Sequence, residues 1–77
     1  MSTQESYSED RIVVYSYFRE GDKVVGTEVC STELEARFFA RHQLKYYPYV
    51  EIVYQRGIVQ PWGVYDIKSS DVIARFK

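Results

Sequence analysis

From Arg11 to Arg19 β-branched and aromatic residues alternate, so that Ile12, Val14, Ser16 and Phe18 share one face and Val13, Tyr15, Tyr17 and Arg19 the other. Both faces carry apolar bulk. Glu20-Gly21-Asp22-Lys23 makes a short polar break with a glycine free to take positive φ, after which Val24 to Cys30 resumes the strand pattern; the pair predicts a β-hairpin. Thr32 followed three residues later by Glu35 forms a capping box ahead of a run of helix formers, and predicts a helix from about Glu33 to about Tyr46. Pro48 disfavours the helical conformation at Tyr47 and sets its end. Val50 to Arg56 alternates again up to Gly57, with Ile58 and Val59 open either to strand or to loop before Pro61. Trp62 to Lys68 predicts a fourth strand, and Ser69-Ser70-Asp71 reads as the cap of a short terminal helix that docks Val72, Ile73 and Phe76.

The order β-β-α-β-β predicts an α+β fold of two layers. A mostly antiparallel four-stranded sheet carries one helix across one face and a short C-terminal element. Residues 1–10 are polar and unpatterned and are expected to form a disordered acidic, Ser-rich tail. Residues 11–77 form the single domain, because a chain of 77 residues holds one thin core and has no room for a second.

The helix has two apolar sides. At about 100° per residue, Ala36, Phe39, Ala40, Gln43 and Tyr47 fall together and are assigned to the sheet. Opposite them stand Leu34, Phe38, Arg41 and Lys45, with Arg37 at the edge. Either the C-terminal segment around Val72 and Phe76 covers Leu34 and Phe38, or the stripe docks a partner, with Phe38 as anchor and the basic residues steering an acidic surface towards it. The sheet face away from the helix is expected to display some of Tyr15, Tyr17, Tyr54, Tyr65 and Trp62, out of eight tyrosines and one tryptophan in all. Such rings pack across strands, contact proteins, or stack on unpaired bases.

Charge narrows the choice little. The net charge is −1, but three of the eleven acids lie within residues 1–10, so the folded part is mildly basic and lacks the large Lys/Arg excess of a phosphate-driven binder. One cysteine, Cys30, excludes an intramolecular disulfide and a multi-cysteine zinc site, which fits a cytoplasmic setting. No secretory signal and no stretch of membrane-spanning length is expected.

Catalytic chemistry is sparse. His42 is the only histidine, and Cys30 reads as a small buried hydrophobe. No phosphate loop, nucleophile elbow, HExxH, EF-hand or zinc-finger spacing occurs. A core this thin leaves little space for a pocket of about 300 Å³ or more. The sequence therefore points to a non-catalytic interaction module without cofactor or metal, accessory, regulatory or inhibitory, that occupies a protein partner's surface or its own copy's. Its candidate contacts are Leu34, Arg37, Phe38, Arg41 and Lys45 from the helix and Tyr15, Tyr17, Tyr54 and Trp62 from the sheet. The alternative is a single-stranded nucleic-acid binder, in which the tyrosines stack on bases and Arg19, Arg56 and Lys68 contact phosphates.

Overall fold

The structure is a computed structural model that describes residues 5–77. Four strands and one helix follow in the order β1 (Tyr7–Tyr17), β2 (Gly26–Cys30), α1 (Glu33–Gln43), β3 (Tyr49–Val59) and β4 (Tyr65–Phe76). They form one open sheet in the spatial order β2-β1-β3-β4, with every neighbouring pair antiparallel. The α+β class, the antiparallel sheet and the single helix agree with the expected fold.

β3 is the central strand in burial as well as in place. It pairs over its whole length with β1, from Tyr7↔Val59 to Tyr17↔Tyr49. Ile12, Val14 and Ser16 of β1 and Val50 and Ile52 of β3 point to the helix, where Val14, Val50 and Ile52 close with Cys30, Ala36 and Ala40 into a small core. Ala36 and Ala40 are fully buried, as expected for small residues that let the helix backbone approach the sheet.

The helix covers only one end of this sheet. Beyond Ile12 on β1 and Tyr54 on β3 the strands run on as a three-stranded arm of Tyr7–Arg11, Gln55–Val59 and the first half of β4, which gives the molecule extents of 50 × 25 × 18 Å. Tyr7 to Asp10 are strand, paired with Arg56 to Val59, so they do not belong to a disordered tail. The remainder of the expected tail, residues 1–4, lies outside the described residues. On the face away from the helix, Val13 and Val53 are nearly as buried as the core, at 2% and 4% exposure. No second layer covers them among the described residues. Their cover is the row of long side chains on the same face, in which the Tyr17 and Tyr49 rings meet at 5.4 Å and Arg11 lies 3.8 Å over the Tyr65 ring.

Several boundaries differ from expectation. β1 spans Tyr7–Tyr17 rather than Arg11–Arg19, and β2 begins at Gly26 rather than Val24. The helix ends at Gln43, with Leu44 as its cap, because residues 44–46 tighten into i→i+3 bonding (Lys45 N–H to His42 O, Tyr46 N–H to Gln43 O) ahead of Pro48. β3 takes the longer of its two options and includes Gly57, Ile58 and Val59. The C-terminal end is a correction. Ser69-Ser70-Asp71 does not cap a terminal helix, and the C-terminal element is the second half of β4, which starts at Tyr65 rather than Trp62. A helix there would leave one side of β3 without hydrogen-bonding partners from Val50 to Arg56, and β4 supplies them. Two register shifts, opposite Ile52/Val53 and Arg56/Gly57, leave Ile73 and Lys68 as the extra residues of bulges.

Candidate functional site

Helix α1 is held at both ends by groups its own sequence supplies. Thr32 takes an extended conformation and its Oγ1 accepts the Glu35 N–H at 3.1 Å, as the capping box requires. Glu33 and Glu35 in the first turn and Arg41 and His42 in the last complement the helix dipole. With Ala36 and Ala40 against the sheet, the opposite face is turned wholly to solvent.

On that face Leu34 and Phe38 are each 80% exposed. The C-terminal segment does not cover them, because it runs along the far edge of the sheet as β4. Arg37 is held by an ion pair with Glu33 (Nε to Oε2, 3.2 Å). Arg41 and Lys45 form no ion pair among the described residues. The five helix residues expected at a site thus lie together as one stripe, apolar towards the N-terminus and basic towards the C-terminus. Tyr46, 65% exposed just past the helix and edge-on to His42, belongs beside them. Its exposure was hidden in the sequence because the tightened turn after Gln43 interrupts helical spacing.

The four sheet residues do not form one surface. Tyr15 and Tyr17 lie on the face away from the helix, within a hydrogen-bonded row. Tyr17 Oη donates to Glu51 at 2.6 Å, Tyr49 Oη donates to the other carboxylate oxygen at 3.2 Å, and Tyr15 Oη accepts from Gln55 at 2.6 Å. Burial, then the bond and charge of Glu51, push the Tyr17 hydroxyl far above its ordinary range; burial followed by Glu51 also raises Tyr49. Tyr54 lies on the opposite face, at the root of the arm, and donates to Asp10 at 2.5 Å. Trp62, 73% exposed, sits in the turn between β3 and β4, where Gly63 takes a φ of +91°. Arg19 follows the end of β1 at Tyr17, whereas Arg56 lies near the other end of the sheet and Lys68 in a β4 bulge. Of the rings and cations needed for a strand of bases, Tyr54 and Arg56 lie together on one face, while Tyr15 and Tyr17 lie on the other.

Cys30 is 6% exposed, and burial, then Glu35 and Glu28, raise its thiol pKa, which favours the unreactive protonated form. His42 is exposed on the helix. Among the described residues no group of three or more His, Cys, Asp or Glu could hold a metal. An open hollow of about 350 Å³ lies at the tip of the arm, lined by Glu5, Tyr7, Val59, Gln60, Pro61 and Gly63. It sits on the surface beside a turn and not in the core. Among the described residues no helix is long and apolar enough to cross a membrane.

Compared with family models, curated proteins and solved structures, the chain matches none. The reading of its function rests on its own surface.

Proposed function

We propose that this protein is a non-catalytic interaction module whose outward helix face docks on a protein surface, and that it acts as an accessory, regulatory or inhibitory subunit by occupying that surface. The observation that carries the reading is the joint 80% exposure of Leu34 and Phe38 on a capped helix, next to Arg41 and Lys45. A large ring held outward on a rigid element loses little conformational freedom on docking, and neighbouring cations steer it towards an acidic partner. We place the protein in the cytoplasm on the strength of its single cysteine, kept as a buried thiol.

The test is retention of an identified partner from native cells by the wild-type chain and by Phe38→Ala and Arg41→Glu, each shown to be folded by circular dichroism. Both variants are expected to lose the partner. If both leave partner binding and self-association unchanged, the reading is wrong. Oligonucleotide binding that weakens steeply with salt and survives Phe38→Ala would replace it with the nucleic-acid alternative.

A further inference from the structure

Two faces of this molecule lack a cover, and they match in size and charge. Helix α1, at 11 residues, is about 16 Å long. The arm beyond it holds five β1–β3 pairs, Tyr7↔Val59 to Arg11↔Gln55, and so extends about 16 Å. Strand alternation places Ser8, Asp10, Arg56 and Ile58 on the helix side of that arm and Tyr54 at its root on the same side, with Asp66 and Asp71 of β4 opposite Ile58 and Tyr54. This is a bare sheet face with room for one more helix.

Its charges sum to the sign the helix stripe needs, with Asp10, Asp66 and Asp71 against Arg56 and Lys68. Lys68 neutralises Asp66 at 2.7 Å, and Arg56 lies over the edge of the Tyr54 ring at 5.8 Å. Asp10 and Asp71, on either side of Tyr54, have no cationic partner within 4.0 Å among the described residues, and Arg41 and Lys45 of the helix have no anionic one. The stripe cannot reach the arm of its own chain, because it points away from its own sheet.

We infer that the surface docked by the helix stripe is the bare arm of a second copy. In a two-fold arrangement the two sheets face each other with both helices side by side between them. Each helix presses Ala36 and Ala40 on its own sheet, and lays Leu34 and Phe38 on the Tyr54 and Ile58 of its partner's arm. Arg41 and Lys45 then meet Asp10 and Asp71 across the interface. Two-fold symmetry satisfies both faces of both copies at once, whereas a head-to-tail contact leaves one of each uncovered. A stable interface hides about 800 Å² per partner, roughly one seventh of the 5566 Å² each chain exposes. Two patches per chain can supply that where one short helix cannot. The inference rests on the interaction-module reading and names its partner.

Light scattering on the purified full chain, from low micromolar to near-millimolar concentration, tests it. The expected mass is twice the 9.1 kDa of one chain. Phe38→Asp is expected to give the single-chain mass with an unchanged far-ultraviolet spectrum. Arg41→Glu and Asp71→Arg are each expected to weaken the dimer about tenfold or more, and the double variant to recover most of that loss. Isotope-filtered NMR on mixed samples should show Phe38 protons close to Tyr54 protons of the other copy. A single-chain mass at every concentration overturns the inference, and so does a dimer indifferent to Phe38→Asp and to the charge swap. If the monomer still retains another protein through Phe38, only the second copy is excluded and the interaction module stands. A Phe38-dependent dimer that retains nothing else upholds the inference and confines the module to self-association.

Discussion

The two ends of the sheet are built on opposite principles. At the covered end, the core is assembled from small and branched residues on separate elements: Ala36 and Ala40 from the helix against Val14, Val50 and Ile52 from the strands. In the arm no helix arrives, and side chains lie across the strands instead. Gly57 is the clearest case. A Cβ there would stand 2.6 Å from the Asp66 carbonyl oxygen and from the Tyr65 ring, so only glycine lets that ring lie over the strand. The ring then donates its hydroxyl to Glu9 O at 2.8 Å and receives Arg11 on its face. One end is held by a second layer and the other by latches within a single layer.

Alkaline pH should produce the largest effect, and it should act at both ends. The folded-state pKa values of Tyr17 and Tyr49 at the covered end, of Tyr54 at the root of the arm and of Tyr65 within it all lie above the ordinary value of 10.0. The folded state thus holds these protons more tightly than the unfolded chain. The stabilisation is complete below about pH 10 and is lost as pH rises through the folded-state values. Tyr17, with the largest shift, should ionise last in an ultraviolet titration. A single unshifted step for all eight tyrosines before unfolding would remove the distinction.

Ile52→Ala, in the fully buried core, should cost about 2–5 kcal/mol in chemical denaturation. The same change at Ile58, partly exposed in the arm, should cost clearly less. Equal losses would mean that the arm is packed as tightly as the covered end. Gly57→Ala tests the latch itself, with an expected loss of about 1–3 kcal/mol from the forced displacement of Tyr65 and the neighbouring backbone. Its damage should appear in hydrogen exchange first at arm amides, not at Val14 or Val50. Thr32→Ala should cost about 1 kcal/mol by removing the cap of the helix that defines the covered end. Smallest of all, Phe38→Ser should change the stability of the isolated chain by no more than about 0.5 kcal/mol, since that side chain is almost wholly in solvent.

What the sequence revealed follows the same division. The helix was legible because its signals are local: Thr32 and Glu35 lie three residues apart, and Pro48 bounds the segment. Its outward stripe was legible for the same reason. The arm was not, because Tyr7 to Asp10 look like polar tail until they meet Arg56 to Val59, more than forty residues later. β4 was misread because its two bulges break the alternation of period two. Tyr65 and Ile67 pair on one face and Ser70 and Val72 resume it only after Lys68 is skipped, so the segment shows no clean strand pattern. The tyrosines were legible as a set but not in their roles. Whether a ring is free depends on partners such as Glu51 and Gln55, which ordinary spacing does not reveal.

The order of strands carries a consequence for synthesis. β3, the most deeply enclosed strand, receives its second neighbour only from β4, the last element along the chain. In a chain that stops at Val59, one flank of that greasy strand is open to any other polypeptide. Stop codons or proteolytic cuts between Gln60 and Ser70 should therefore yield insoluble fragments instead of a smaller working protein.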